Sequence, residues 1–155
     1  MSLVIGTTGW QEEEAALRRD LADLPVGVIA APNFAIGVNL FIEIVAQAAA
    51  LLADRGFGAW IHEAHHAAKK DAPSGTALAI QRAVHEAGQT VDVSSTRAGF
   101  IPGTHTLGFD SPAETITLIH TARDRSVFAR GALEAARWIH GRMGWFGMKD
   151  MLEGR

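Results

Sequence analysis

The segment Glu63-Ala64-His65-His66-Ala67-Ala68-Lys69-Lys70-Asp71-Ala72-Pro73-Ser74-Gly75-Thr76-Ala77 concentrates more chemistry than any other part of the chain. Two adjacent imidazoles, His65 and His66, offer proton transfer near neutral pH. Lys69 adds a compact cation close by. Pro73-Ser74-Gly75-Thr76 followed by Ala-Leu-Ala-Ile reads as a capped helix start, where free backbone N–H groups and the helix dipole attract anions. A proton donor, a cation and an anion-binding helix end together describe a site for a small, negatively charged substrate.

Positioning these groups requires ordered elements, and the apolar pattern supplies them. Leu3 to Ile5 and Val26 to Ala31 read as short buried strands. Glu12 to Leu24 has helical spacing and Pro25 stops it. Two apolar strands joined by a helix predict a parallel pair. Val38 to Asp54 reads as a long apolar helix buried on most sides, ended by Gly56 and Gly58. Ala59 to Ala64 reads as a strand that carries the histidines at its C-terminal end. Ser74 to Glu86 is the next helix, with Gly88 as its stop. Gln89 to Phe100, Gly103 to Phe109 and Glu114 to Ala122 read as strands, and Val127 to His140 as an amphipathic helix. Thr115-Ile116-Thr117-Leu118-Ile119-His120 alternates, which predicts one buried face.

A competing motif lies in the same segment. His62-Glu63-Ala64-His65-His66 satisfies the zinc-hydrolase pattern H-E-x-x-H, with His62 and His66 as ligands and Glu63 as base. That chemistry needs the three residues on a helix and a further ligand. Gly56, Gly58 and Trp60-Ile61 argue for a strand, in which the two histidines are too far apart to chelate one ion. No metal is therefore expected. His105 and His120 read as partnered strand residues, and Trp138, Trp145 and Phe146 as core or interface aromatics. Gly141-Arg142-Met143-Gly144 imitates part of a dinucleotide fingerprint but follows a helix, so it carries no weight.

The pattern E-x-H-H-x-x-K-x-D-A-P-S-G-T-A over Glu63 to Ala77 resembles the signature of the dihydrodipicolinate reductase family, also called 4-hydroxy-tetrahydrodipicolinate reductase, of bacterial lysine biosynthesis. Gly6-Thr7-Thr8-Gly9 resembles the family's G-T-T-G loop, and Ala31 to Asn39 its A-P-N-F-S-x-G-V-N segment. Arg97 to Thr106 resembles its R-x-G-x-x-x-G-x-H strand region. Phe128 to Leu133, Trp138 and Met148 to Leu152 resemble the closing helix and tail. Ala67 and Ala68 depart from relatives that are basic there, and the segment from Gly88 to Arg97 is short.

The resemblance implies an NAD(P)H-dependent oxidoreductase. His65 would be the proton donor or acceptor, and Lys69 a second donor and carboxylate partner. His66, Gly75 and Thr76 would contact substrate. Gly6, Thr7, Thr8, Ala31, Pro32, Asn33 and Phe34 would lie beside the nicotinamide; unaided, each of these two stretches is an ordinary turn. Asp71 would orient Lys69. It also implies a homotetramer built by packing sheets of the second domain.

The expected fold is α/β, α+β in its main domain: a mixed, largely antiparallel four-stranded sheet with packed helices, plus a partial Rossmann-like βαβ segment. Residues 1–36 would be a remnant of the dinucleotide-binding domain, 37–140 the substrate-binding and oligomerisation domain, and 141–155 a tail returning to the first. The family's opening G-x-x-G-x-M-G turn has no counterpart here, so weak or absent binding of NADPH or NADH is expected. A binding and oligomerisation module without turnover is the second reading, and a zinc hydrolase a remote third.

Composition sets the outer limits. The chain has 155 residues, enough for a real core. A net charge of −3 gives no nucleic-acid footprint. The absence of cysteine excludes disulfides and thiolate metal sites. The longest apolar run, Ile42 to Ala53, is broken by Glu43 and Gln47 and is too short to span a membrane. Nothing before Ile5 resembles a secretory leader, so a cytoplasmic location is expected; a small dicarboxylate heterocycle as partner is what the family resemblance implies.

Overall fold

The computed structural model describes residues 1–7 and 9–154. The chain forms two compact units, Met1–Asn39 with Arg125–Arg155, and Leu40–Asp124. The sequence expectation of a second domain over 37–140 differs at its far end. The helix following Arg125 and its C-cap residue contribute Ala135 and Ile139 to the hydrophobic cluster of the first unit.

The first unit is an α/β layer. β1 (Ser2–Ile5), β2 (Gly27–Ala30) and β7 (Gly144–Phe146) form a parallel sheet with β2 central. Residues Val28 and Ile29 of that middle strand are almost wholly buried, as a strand covered on both faces requires. Parallel neighbours need a crossover, and α1 (Gln11–Leu21) supplies it between β1 and β2. Ile29, Ala31 and Phe34 meet Ala135 of α4 (Ser126–Trp138), Ile139 at its C-cap and Met148 of α5 (Met148–Leu152). Gly131 of α4 lies so close to the Phe34 carbonyl that a Cβ there would sit 1.7 Å from its oxygen. β7 and α5 were not expected from the sequence: three and five residues are too few for a period to register.

The second unit carries the mixed four-stranded sheet, ordered β4-β3-β5-β6. β3 (Gly58–His65) runs parallel to β4 (Val91–Arg97), with α3 (Gly75–Glu86) as the crossover. β5 (Gly103–Asp110) is antiparallel to β3, and β6 (Thr115–Ala122) to β5. One face is covered by α2 (Ile36–Leu52) and α3, whose Phe41, Val45, Ala49, Ile80 and Val84 pack with Ile61, Leu107 and Phe109. Each buried Val, Leu, Ile or Phe among them contributes on the order of 2 kcal/mol.

Two expectations need correction. α2 begins at Ile36, and it is buried along one stripe, not on most sides: Leu40, Ile44 and Leu51 are exposed. Phe41, Val45 and Ala49 recur every four residues, which is all a single buried face needs. A uniformly apolar helix does not announce which face that is. In β6, Leu118 and His120 are only half-buried, while Ile116 and Ile119 are exposed. The alternation is present, but β6 is an edge strand.

No helix among the described residues is long and apolar enough to cross a membrane.

Candidate functional site

β3 presents its residues to alternate sides, so Ile61, Glu63 and His65 share the helix-covered face. Glu63 is 0% exposed. His62 projects to the other face, 3.0 Å from the Thr96 hydroxyl. The H-E-x-x-H reading fails on this point, because a strand sends His62 and Glu63 in opposite directions.

Register brings the partners alongside. Glu63 pairs across the ladders with Ser95 on one side and His105 on the other, and His65 with Arg97. Arg97 donates from Nη2 to Glu63 Oε1 at 2.7 Å. His65 Nδ1 makes a very short hydrogen bond to Glu63 Oε2. Burial pushes the Glu63 carboxyl up, but the bonds from Arg97 and Ser95 and the nearby His65 outweigh it and hold the group at about 2. Glu63 is therefore a carboxylate, which only accepts, and the proton between it and His65 belongs to Nδ1. Burial lowers the pKa of His65; Glu63 opposes that, while Lys69 and Arg97 add to it.

The same Arg97 reaches the loop after β3. Its Nη2 also donates to the backbone carbonyl of Asp71. Lys69 Nζ bonds both carboxylate oxygens of Asp71, at 2.7 and 3.0 Å. Lys69 lowers the pKa of Asp71 through those bonds. The loop turns where the Lys69 N–H meets the His66 carbonyl at 3.1 Å. His66 itself is exposed.

The third arm is the start of α3. Ser74 caps the helix, its Oγ accepting from the Ala77 N–H at 3.2 Å. The same oxygen lies 3.0 Å from His105 Nε2. The His105 ring packs edge-on against His65, with centroids 5.2 Å apart and an interplanar angle of 73°. Burial, then the neighbouring His65, push His105 down to about 4. Beyond the cap, Gly75 faces open space: a Cβ there would meet nothing within 4 Å. A bound anion could approach the N–H groups of Gly75 and Thr76 without obstruction.

His65, Lys69 and the Gly75-Thr76 helix start are thus joined through Glu63, Arg97, Asp71, Ser74 and His105. Of these linkers, Arg97 and His105 were not singled out as site residues by sequence reasoning, and Glu63 only as the base of the zinc-hydrolase pattern. The Glu63-x-His65 spacing on a strand was the available signal, since i and i+2 share a face. Arg97 and His105 become neighbours only through strand pairing.

Glu63, His65 and His105 each bring a possible metal-ligand atom within 4.8 Å of the others. Glu63 is already engaged by Arg97 and His65, and His105 Nε2 by Ser74, while His105 Nδ1 has no hydrogen-bond partner among the described residues. A guanidinium bonded to the only carboxylate also opposes a second cation.

In the first unit, Gly6 and Thr7 follow β1, and Ala31, Pro32, Asn33 and Phe34 follow β2. Both stretches sit at the C-terminal edge of the parallel sheet, where α/β folds bind ligands. The Ala31 N–H joins them by a bond to the Ile5 carbonyl at 3.0 Å. The Phe34 ring reaches Gly6, 3.3 Å from where a Cβ would be. Asn33 Oδ1 accepts from the Ala35 N–H, and the Asn39 amide donates to the Asn33 carbonyl. Thr8 lies outside the described residues.

Residues 37–152 match the family described as dihydrodipicolinate reductase, C-terminus. The chain is 38% identical to the 4-hydroxy-tetrahydrodipicolinate reductase of Laribacter hongkongensis over 98% of its own length and 64% of the relative's. It is 40% identical to the enzyme of that name from Methanoregula boonei, over 98% and 66%. Among solved structures, a dipicolinate-bound dihydrodipicolinate reductase from Paenisporosarcina sp. superposes with a TM-score of 0.77 and 26% identity, over 95% of this chain and 63% of that one. The chain therefore spans a little under two thirds of the length of these relatives.

Proposed function

The chain belongs to the dihydrodipicolinate reductase family, matching its C-terminal part, and from that premise we propose that it holds a cyclic dicarboxylate for reduction to tetrahydrodipicolinate. The substrate would be dihydrodipicolinate or its 4-hydroxy-tetrahydro precursor, in a cytoplasmic route to diaminopimelate and lysine. Bound NADPH or NADH would supply the hydride. Lys69, His66 and the N–H groups of Gly75 and Thr76 would hold the two carboxylates, through charge-assisted bonds and the helix dipole. His65, aided by Lys69, would supply the accompanying proton. Gly6, Thr7 and Ala31 to Phe34 would border the nicotinamide.

The observation that carries this reading is the network that ties His65 and Lys69 together through hydrogen bonds and reaches the α3 start through the His65–His105 ring contact and the His105–Ser74 bond. Calorimetric titration with pyridine-2,6-dicarboxylate (dipicolinate) tests it. Saturable binding that Lys69→Ala weakens at least about tenfold is expected, the loss of one charge-assisted contact. No binding by the unmodified chain would refute the reading. A parallel NADPH fluorescence titration measures what the loops of the first unit contribute.

A second reading is that the chain binds the dicarboxylate and self-associates without turnover. Exposed Trp60 and Ile119 lie on the uncovered face of the four-stranded sheet, a surface fit for pairing with copies of itself into a tetramer. Light scattering with an NADPH-oxidation assay separates the two: an inactive tetramer supports the second reading.

A further inference from the structure

The catalytic assignment of His65 leaves open how its ring is oriented and which nitrogen exchanges the proton. His65 makes one side-chain hydrogen bond among the described residues, from Nδ1 to Glu63. Its Nε2 lies over Gly103, so close that a Cβ at 103 would be 2.9 Å away. The glycine leaves that nitrogen room. Glu63 in turn is fixed from its other oxygen by Arg97, itself anchored to the carbonyls of Thr96 and Asp71.

We infer that Glu63, clamped by Arg97, is a positioning residue that sets the tautomer of His65, placing a hydrogen on Nδ1 and reserving Nε2 for proton exchange with the substrate. This rests on the proposed role of His65 but extends to a buried carboxylate that never touches substrate. When His65 is charged, Glu63 stabilises the imidazolium. On transfer the Nε2–H bond breaks, the proton passes to the substrate, and the ring returns to its neutral Nδ1–H form. The charged or titratable groups facing the ring are Glu63 from β3, Arg97 from β4, His105 from β5 and Lys69 from the loop. Only Glu63 among them favours the charged ring.

The substitution Glu63→Gln makes a sharp prediction. Arg97 has only donors, so it must face the glutamine oxygen. The glutamine NH2 then points at His65 Nδ1 and donates to it, which forces the hydrogen onto Nε2. The buried shape is kept while the tautomer inverts.

Two-bond 15N–1H correlation NMR of the 15N-histidine-labelled chain reads this directly, with His65→Gln identifying the signal. In the unmodified chain at mildly alkaline pH, His65 should be mainly Nδ1–H. In Glu63→Gln it should be mainly Nε2–H, and its titration should fall by about a pH unit or more. An Nε2–H tautomer in the unmodified chain overturns the inference, and so does a Glu63→Gln spectrum unchanged in both respects. Should that variant not fold, the unmodified chain's tautomer decides alone. Dipicolinate affinity is a separate arm: inversion without any dipicolinate binding upholds the positioning role and sinks the substrate.

Discussion

The Ser74 hydroxyl that caps α3 lies 3.0 Å from Nε2 of His105. One oxygen therefore serves both the helix start proposed to hold a carboxylate and the ring that packs against His65. The cost of losing it should exceed that of an ordinary cap.

Ser74→Ala tests that coupling by urea unfolding. Cap loss alone costs about 1 kcal/mol, and a buried imidazole nitrogen left unpaired adds about 1–3 kcal/mol. A total of at least about 2 kcal/mol is expected; the cap value alone would mean that the two roles are independent.

Stability should decline steadily in acid. His105 is 4% exposed, and its pKa falls from an ordinary 6.5 to about 4 on folding. Between those values the unfolded chain binds the extra proton, so stability is complete above about pH 6.5 and lost as pH drops toward 4, by on the order of 3 kcal/mol. Glu63, lowered from 4.5 to about 2, continues the loss below pH 4.5. Unfolding midpoints across this range should show both windows, and His105→Gln should shrink the upper one without touching the lower, leaving there the contributions of His65 and His120, whose pKa values burial also lowers.

Two glycine substitutions should differ in severity. In Gly131→Ala the new methyl meets backbone, 1.7 Å from the Phe34 carbonyl oxygen. Nothing there can rotate away, so a cost of about 3 kcal/mol or more is expected by thermal unfolding. In Gly103→Ala the methyl meets the His65 ring at 2.9 Å, and a side chain can yield. That variant should lose only about 1–2 kcal/mol but displace His65, seen as a shifted imidazole signal.

The exposed pair Lys69–Asp71 should matter for binding and little for folding. Asp71→Asn is expected to change stability by under about 1 kcal/mol. With its competing carboxylate gone, Lys69 should bind dipicolinate a few-fold more tightly, a gain of roughly 1 kcal/mol at most. Weaker binding would show that Asp71 aims the ammonium instead of competing for it.

The helix start at Ser74, the strand leading into His65 and the parallel pair β1–β2 were legible because each rests on local pattern: a cap residue, alternation, an apolar run between glycine and proline. The Arg97–Glu63–His65 chain was not. Arg97 is distant in sequence from its partner, and only the β3–β4 register joins them. Nor could composition tell that Leu40 and Ile44 face outward while Phe41 and Val45 face in, because all four are equally apolar. The brief β7 was invisible for a related reason: what makes Gly144-Trp145-Phe146 a strand is its partner β2, not its own residues.

That late pairing has a consequence for synthesis. Val28 finds Trp145 across the ladder, so the first unit needs both ends of the chain, whereas Leu40–Asp124 is continuous. As the polypeptide leaves the ribosome, the inserted module has all its strands before the outer one receives its third. The groups proposed to grip the dicarboxylate are assembled while the sheet beside them in the gene is still waiting for its last strand.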